Sequence, residues 1–240
     1  MYFSSKLPNV GTTIFTTMSK MAQDYGAINL SQGFPNFPID PLLQEIVQKK
    51  TLENVHQYVP MAGLPALLDK VGELIFNQYQ RQIDATTELL VTAGATQAIF
   101  TVVQAIVQKG EEVIILDPSY DCYESPIILV GAKPIRIPLN EDFLPDWEKI
   151  RATVSSKTRL IITNNPHNPS GKVWHKEDFK ELEKMVNDFP NLLVLSDEVY
   201  EFIHFESKHL SVNCSEILKN RSIVVSSFGK TFHITGWKVG

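Results

Sequence analysis

The chain has 240 residues, of which 43% are hydrophobic and 20% charged, so it can bury a sizeable core as one large domain or two small ones. A formal net charge of -5, without any block of lysines or arginines, argues against a nucleic-acid-binding surface and favours small molecules or protein partners. No continuous apolar segment opens the chain, so we expect neither a signal peptide nor a membrane span and place the protein in the cytoplasm. Cys122 and Cys214 are far apart and predict neither a disulfide framework nor a zinc site.

Residues 1–40 are predicted to form an extended N-terminal arm that includes a small-domain segment, and residues 41–240 to form the large domain. Gly33, Pro35 and Pro38 would break any long element in the second half of this arm.

Along the rest of the chain, apolar runs rich in β-branched residues alternate with helical patterns, as is typical of α/β folds. Strands are predicted near 89–92, 113–116, 135–137, 160–163, 192–195 and 223–225. Helices are predicted near 41–50, 65–80, 95–108, 120–130, 146–152 and 175–188. Several strands are apolar throughout, which indicates burial on both sides. The sequence therefore predicts an α/β fold with a mostly parallel central sheet and helices on both faces.

Residues capable of chemistry follow these predicted strands. In an open parallel sheet, ligands bind beyond the carboxyl ends of the strands, so such residues are expected to meet at one edge. The segments at these ends are 94–97, 117–120, 164–171, 196–200 and 226–230. They supply small residues before a helix, a tyrosine, an asparagine in a proline-rich turn, a carboxylate and a lysine. This set serves a single ligand with an anionic group, a flat ring and a reactive carbonyl.

Two other kinds of site match parts of these segments less well. The Gly-Lys-Thr segment 229–231 is similar to the end of a nucleotide-binding P-loop, but Val224 stands where the first glycine is required. A metal site at Asp197 would have to recruit His204 or His209, whose spacing matches no tight ligand pattern. We therefore expect no metal.

Together the segments resemble the class I/II aminotransferases, which are fold-type I pyridoxal phosphate enzymes. The resemblance runs from about residue 29 to residue 240. Its strongest parts are Asn-Pro-His-Asn-Pro-Ser-Gly-Lys at 165–172, Ser-Asp-Glu-Val-Tyr at 196–200, and Ser-Phe-Gly-Lys-Thr-Phe at 227–232 followed by Thr-Gly-Trp-Lys at 235–238. The segments 31–37 and 121–124 are closest to the branch that contains kynurenine, glutamine and methionine aminotransferases.

The resemblance implies a role for four residues at the reacting centre. Lys230 would form a Schiff base with pyridoxal 5'-phosphate and then move the proton of the substrate α-carbon. Asp197 would pair with the pyridine nitrogen and keep it protonated, so that the ring acts as an electron sink. Asn168 and Tyr200 would hydrogen-bond the phenolic oxygen of the ring.

The resemblance also implies the remaining cofactor contacts. Tyr120 would stack on the ring. The phosphate would be held by Gly94, Ala95, Thr96, Ser227 and Lys238. In many relatives an arginine stands where Lys238 is, and a lysine supplies the charge without the bidentate fork. Tyr58 would reach the phosphate from the neighbouring subunit, so the resemblance implies a homodimer whose site is built from both chains.

Gly33, Phe15 and Asn168 would contact the substrate, which the resemblance implies to be an L-amino acid and a 2-oxo acid. Methionine, glutamine, aromatic and kynurenine-like donors remain open. The arginine that binds the substrate carboxylate in this family is expected in a C-terminal lobe beyond residue 240, so we expect little transamination by residues 1–240 alone. Two alternatives also stay open: β-elimination from cysteine conjugates at the same site, and a non-catalytic regulatory module that binds the cofactor.

Overall fold

The computed structural model describes residues 4–33, 35–205 and 208–240. The strands are β1 (Glu112–Asp117), β2 (Lys133–Pro138), β3 (Thr158–Asn164), β4 (Leu193–Asp197) and β5 (Ser222–Val225). The helices are α1 (Ile14–Asp24), α2 (Pro41–Thr51), α3 (Pro65–Tyr79), α4 (Ala95–Ile106), α5 (Glu124–Leu129), α6 (Trp147–Thr153), α7 (Lys176–Asp188) and α8 (Phe228–Thr231). Short 3₁₀ turns lie at Val212–Cys214, Leu218–Asn220 and Thr235–Trp237. Within these ranges no helix combines the length and the apolar character needed to cross a membrane.

The five strands form one parallel sheet in the order β2-β1-β3-β4-β5. Its register aligns the carboxyl ends of β3, β4 and β5, with Asn164 opposite Asp197 and Asp197 opposite Val225. The direction in which the chain adds strands reverses between β1 and β3, and such a switch point is where parallel sheets bind ligands. The predicted α/β class is confirmed.

Two apolar layers hold the sheet between helices. Because successive side chains of a strand point to opposite faces, neighbouring residues of β1 enter different clusters. Ile114 packs in one cluster with Leu182 of α7. Ile115 packs in the other cluster with Ile99 of α4. All four side chains are at most 1% exposed, so helices cover both faces of the sheet as predicted.

Helix α7 begins at a reciprocal pair of contacts between His175 and Asp178. The backbone N–H of His175 donates to Asp178 Oδ2 at 2.8 Å, and the His175 side chain accepts from the backbone N–H of Asp178. Such a capping box satisfies donors that the first turn of a helix leaves free. The second oxygen of Asp178 accepts from Trp147 Nε1 at 2.9 Å, which ties α6 to α7.

The predicted strand at 89–92 is not a strand in the structure. The N–H of Thr92 donates to the carbonyl of Gly240 at 2.8 Å, and the N–H of Gly240 donates back to Thr92 at 3.2 Å. The N–H of Val91 donates instead to Ala62 at 2.8 Å. A strand needs a neighbour along its length, and these isolated backbone bonds do not form a ladder. The apolar composition of the segment indicated burial, but it did not indicate which backbone groups its own backbone would hydrogen-bond.

The N-terminal arm is not extended throughout, because it contains α1. Thr13 caps the first turn of this helix by accepting from the N–H of Thr16 at 3.3 Å. Apolar residues recur along it at Ile14, Met18 and Met21, a spacing that places them on one face. The interpretation of this region as an extended arm overlooked that periodicity. The predicted helix at 120–130 is also shorter, since α5 begins only at Glu124.

Replacing Ile161, a fully buried residue in the middle of the sheet, tests the core. We expect Ile161→Ala to lower the free energy of unfolding by about 2–5 kcal/mol, because it removes buried methyl groups and leaves a cavity. Urea denaturation followed by circular dichroism measures the change. The matched control is Ile28→Ala, at a side chain 86% exposed, for which we expect a change within about 0.5 kcal/mol. Equal losses in the two variants would contradict the assignment of the core.

Candidate functional site

A buried carboxylate lies at the end of β4. Asp197 is only 4% exposed. The phenol of Tyr123 donates to its Oδ2 at 2.6 Å, and the backbone N–H of Val199 donates to its Oδ1 at 3.3 Å. An ionised carboxylate has about four acceptor sites, so these two donors leave part of its capacity unused.

Burial raises the pKa of Asp197 from 3.8 to about 6, because the charged form loses its hydration. The hydrogen bonds from Tyr123 and Val199 lower this pKa, and the charge of Lys230 lowers it further. The same carboxylate would be stabilised in its ionised form by a cation or a protonated heterocycle placed against its free acceptor positions. Asp197 is therefore suited to hold a protonated ring nitrogen.

Lys230 lies in the single turn of α8 that follows β5. Its Nζ is 5.4 Å from the centroid of the Tyr200 ring. Burial lowers the pKa of Lys230, and the negative charge of Asp197 opposes that shift. A lowered pKa increases the neutral fraction of the amine, which is the form that attacks a carbonyl carbon. A side chain at the neighbouring Gly229 would lie 3.1 Å from Thr235 Cα, so glycine permits this turn to pack closely.

Asn168 and Tyr200 meet at the edge of the same site. Asn168 Nδ2 donates to the Tyr200 hydroxyl at 3.2 Å. The backbone of Asn168 is anchored because its N–H donates to Asn164 Oδ1 at 2.7 Å, and Asn164 is the last residue of β3. Burial raises the pKa of Tyr200, the charge of Asp197 raises it further, and the bond from Asn168 lowers it. The two polar groups are therefore positioned together by the strand ends.

The loop between β1 and α5 carries two tyrosines. Their rings have centroids 6.2 Å apart and an interplanar angle of 74°. Tyr123 is buried and bonds Asp197, whereas Tyr120 is half-buried and is free to present its ring to a ligand. The loop is tied to the 165–171 turn because His167 Nε2 lies 2.9 Å from the carbonyl oxygen of Pro118.

Small residues and helix ends converge near the turn that contains Lys230. Gly94, with φ of +78°, precedes α4, and a Cβ on it would lie 3.7 Å from Lys238 Cα. A Cβ on Gly240 would lie 2.9 Å from the backbone nitrogen of Ala95, so the two chain segments are in close contact. Ser227 caps α8 by accepting from the N–H of Gly229 at 3.1 Å. The first N–H groups of a helix have no partner inside it, so the start of α4 is suited to an anion.

The structure thus brings together most of the residues predicted for the site: Lys230, Asp197, Tyr200, Asn168, Tyr120, Gly94, Ala95, Thr96, Ser227 and Lys238. The other three are Gly33, Phe15 and Tyr58, of which Tyr58 is predicted to reach the site of the neighbouring subunit. Tyr58 is fully exposed, Gly33 is exposed and Phe15 is half-buried. Among the hydrogen bonds of the described residues, none joins these three to the group around Asp197. Phe34, part of the motif at 31–37, lies outside the described residues.

Three residues that hold this site together were not predicted to do so. Tyr123, which was given no role at the site, donates directly to Asp197. Asn164 positions Asn168 and also donates through Nδ2 to the Asp197 carbonyl at 3.0 Å. His167 is 7% exposed and joins two loops. The available signal was placement beside strand ends, which all three share.

The carboxylate next to Asp197 has a different partner. Glu198 Oε2 lies 2.8 Å from His209 Nε2, and Glu198 Oε1 accepts from Ser196 Oγ at 2.9 Å. Both side chains of the Glu198–His209 pair are at most 3% exposed. Across residues 4–33, 35–205 and 208–240 no group of three His, Cys, Asp or Glu side chains is arranged to hold a metal ion.

Comparison with known proteins identifies the class to which this fold and site belong. A family model described as "Aminotransferase class I and II" matches residues 25–240. The chain therefore belongs to the class I and II aminotransferase family, and the cofactor of that family is pyridoxal 5'-phosphate.

Individual relatives include aminotransferases named for methionine and for kynurenine. The chain is 46% identical over 238 residues to a methionine aminotransferase of Escherichia coli K12, covering 98% of this chain and 61% of that protein. It is 34% identical over 250 residues to kynurenine–oxoglutarate transaminase 3 of Homo sapiens, covering 99% of this chain and 55% of the relative. The chain therefore spans less than two thirds of the length of these relatives.

Solved structures have the same fold. The Escherichia coli protein YbdL, whose crystal structure and reactivity identify a methionine aminotransferase function, superimposes with a TM-score of 0.96 at 45% identity. N-succinyldiaminopimelate aminotransferase from Mycobacterium tuberculosis superimposes with a TM-score of 0.94 at 35% identity. Each match covers 100% of this chain and 63% of the other.

The residues present fit pyridoxal phosphate on their own chemistry. Asp197 is a buried acceptor with unused capacity, which suits a protonated pyridine nitrogen. Lys230 is an amine with a lowered pKa near that carboxylate, which suits an aldehyde. The start of α4 together with Lys238 suits a phosphate. One ligand with all three groups satisfies the whole set.

Replacing Asp197 by Asn should change how the stability of the cofactor-free protein depends on pH. A folded-state pKa of about 6 against 3.8 means that the folded protein binds this proton more tightly, so stability falls as the pH rises from about 4 through 6. We expect Asp197→Asn to remove this fall and to raise the free energy of unfolding at pH 7 by up to about 3 kcal/mol. Urea denaturation at a series of pH values measures it.

The control for this titration is Asp142→Asn, which changes an exposed carboxyl in the loop before α6. We expect that variant to keep the pH dependence of the wild-type protein. An Asp197→Asn protein with an unchanged slope between pH 4 and 6 would show that the burial of Asp197 does not control its ionisation.

Proposed function

We propose that this chain is the cofactor-binding part of a pyridoxal phosphate-dependent aminotransferase that moves an amino group from an L-amino acid to a 2-oxo acid. The observation that carries the proposal is the convergence of Lys230, Asp197 and the Asn168–Tyr200 pair at one edge of the sheet. Methionine and kynurenine-like donors are proposed first, because the named relatives include a methionine aminotransferase and kynurenine transaminases. Glutamine and aromatic donors belong to the same proposed range.

The proposed cofactor contacts divide into three groups. Asp197 would hold the ring nitrogen, and Tyr120 would cover one face of the ring. Asn168 Nδ2 and the Tyr200 hydroxyl already bond each other and would share the phenolic oxygen. The phosphate would be held by the start of α4 and by two side chains from the segment around Lys230: Gly94, Ala95, Thr96, Ser227 and Lys238.

The bound cofactor supplies an electron sink that stabilises negative charge at the substrate α-carbon, while the protein supplies binding, orientation and proton transfer. Lys230 Nζ would remove the α-proton of the substrate and return a proton during the second half of the exchange. This requires a neutral amine at the operating pH, and burial shifts the pKa of Lys230 in that direction. Asp197 would keep a positive charge on the ring nitrogen, since its ionised form is stabilised by a cation at its open acceptor positions.

Tyr58 is proposed to act in the partner subunit of a homodimer. Its side chain is completely exposed, as are the neighbouring apolar residues Met61 at 99% and Leu52 at 87%. Exposed apolar residues close together in a chain are typical of surfaces that another protein covers. Gly33 and Phe15 are proposed to contact the substrate, with Asn168 beside it.

The finer organisation is proposed on the same basis. Residues 1–40 would form the N-terminal arm with a small-domain segment, and residues 41–240 the large cofactor-binding domain. A cytoplasmic location is part of the same proposal. The carboxylate-binding arginine of the family is proposed to lie outside these residues.

Lys230→Ala tests covalent attachment of the cofactor. We expect the wild-type chain incubated with pyridoxal phosphate to gain the visible absorbance of the lysine-bound cofactor, and to keep it after gel filtration. Lys230→Ala should lose that absorbance because no amine faces the aldehyde. Lys219→Ala, which removes a lysine paired on the surface with Glu216, is the control and should behave as the wild type. Retention of the covalent band by Lys230→Ala would contradict the proposal.

Mixed dimers test the position of Tyr58. Tyr58→Phe should weaken cofactor retention in the homodimer because a hydroxyl on the phosphate is lost, and Lys230→Ala should abolish attachment. A mixed dimer of these two variants has one site that combines Lys230 of one chain with Tyr58 of the other. We expect mixing to restore about half of the wild-type cofactor content, measured by absorbance after separation of the differently tagged dimers. A cofactor content of only half that of the Tyr58→Phe homodimer, which has two Lys230 sites, would contradict a contribution across the interface.

A further inference from the structure

A single hydrogen bond attaches the N-terminal arm to the sheet domain. For residues 4–33 and 35–59, the only hydrogen bond that reaches beyond residue 60 within the described chain joins Phe37 to His233. Helices α1 and α2 bury no side chain completely. The position of the arm relative to the site therefore depends on the residues around His233.

The contact has a polar and an apolar part. His233 Nε2 lies 2.7 Å from the carbonyl oxygen of Phe37. A carbonyl only accepts, so Nε2 carries the proton and donates. The two rings are also in contact in a tilted arrangement, with centroids 5.2 Å apart and an interplanar angle of 57°. Both parts come from residues 196 positions apart in the sequence, so the contact is tertiary.

His233 has a backbone conformation that residues other than glycine seldom adopt. Its φ is +58°, in the left-handed region. The residues on each side are bonded to α8, because the N–H of Phe232 donates to Phe228 at 2.9 Å and the N–H of Ile234 donates to Gly229 at 3.0 Å. The turn that contains Lys230 therefore fixes where the imidazole of His233 points. Strain of this kind indicates a position held for a purpose other than stability.

We propose that His233 is a positioning residue that latches the N-terminal arm to the lysine turn and so holds Gly33 at the substrate side of the site. This role rests on the proposed function, in which Gly33 contacts the substrate. Gly33 is four residues from Phe37, and a fully extended chain of that length spans at most about 14 Å. Fixing Phe37 beside α8 therefore confines Gly33 to within about 14 Å of the His233–Phe37 contact. Without the latch, the substrate would have to order the arm as it binds, which weakens binding.

The first test measures the arm without any ligand. A nitroxide spin label is attached at Asn36→Cys in the Cys214→Ser background, and the signal of the background protein without Asn36→Cys is subtracted to remove labelling at Cys122. We expect the electron paramagnetic resonance lines of His233→Ala to be narrower than those of the parent, because the label is more mobile. His233→Gln keeps a donor at the end of the side chain and should restore most of the parent spectrum. Identical spectra for His233→Ala and the parent would overturn the latch.

Two control variants separate the parts of the contact. Phe37→Ala removes the ring but keeps the backbone carbonyl, so we expect a spectrum closer to the parent than that of His233→Ala. His56→Ala removes another histidine whose Nε2 is bonded to a carbonyl, that of Thr51 at 3.0 Å within its own segment. We expect no change from that variant. A mobile label in His56→Ala as well would show a general loosening and would overturn the specific role of His233.

The second test measures the consequence for the substrate with L-methionine as the probe. We expect His233→Ala to raise the half-saturating concentration for the change in cofactor absorbance by about 2- to 10-fold, the effect of one hydrogen bond. Cofactor retention should be unchanged, and His233→Gln should recover most of the affinity. A mobile arm with unchanged affinity for L-methionine would overturn the substrate role. Failure of the wild-type chain to bind the cofactor would instead contradict the proposed function, while the spin-label test still decides the latch.

Discussion

The burial of the Asp197 carboxylate is the constraint on which the rest of the site depends. Removing a carboxylate from water is costly unless hydrogen bonds or an opposite charge replace its hydration. Tyr123 and Val199 supply two donors, and Lys230 supplies a nearby positive charge. These groups come from different strand ends, so they can meet only if the parallel register of the sheet is correct. The register of Asn164 and Val225 beside Asp197 is what aligns them.

Asp197, Glu198 and Glu201 lie in one short segment but have different hydrogen-bond partners. This difference distinguishes structural from functional roles. Glu198 is enclosed by His209, Ser196 and the N–H of Val212, which donates at 3.2 Å. Glu201 accepts from Tyr79 and Ser226, which links α3 to the segment before Lys230. Within the described part of the chain, the Asp197 carboxylate accepts only from Tyr123 and Val199 and lies within electrostatic range of Lys230. Fully satisfied buried networks fix a fold, whereas an incompletely satisfied carboxylate with a shifted pKa is typical of a functional centre.

The sequence allowed the strands and the reactive residues at their ends to be predicted, because both depend on local patterns. Five of the six predicted strands are present, and the lysine and carboxylate lie where strand ends were expected to place them. Contacts between distant segments were not predictable in this way. Tyr123 and Asp197 are 74 positions apart, and His233 and Phe37 are 196 apart. The prediction of a strand at 89–92 was wrong for a related reason. Hydrophobic composition does not specify which backbone groups will be hydrogen-bond partners of the segment.

The two sides of the site are stabilised by different means, and this affects how each responds to a ligand. The cofactor side is built on strand ends whose neighbours are almost completely buried, such as Ile162 and Leu195. The arm that carries Gly33 has little buried surface and only the His233–Phe37 hydrogen bond to the sheet domain within the described residues. Regions with few buried contacts open at a lower free energy than the core does. The group of residues at the strand ends is therefore preorganised by the fold, whereas the N-terminal arm is positioned by a contact weak enough to break and reform.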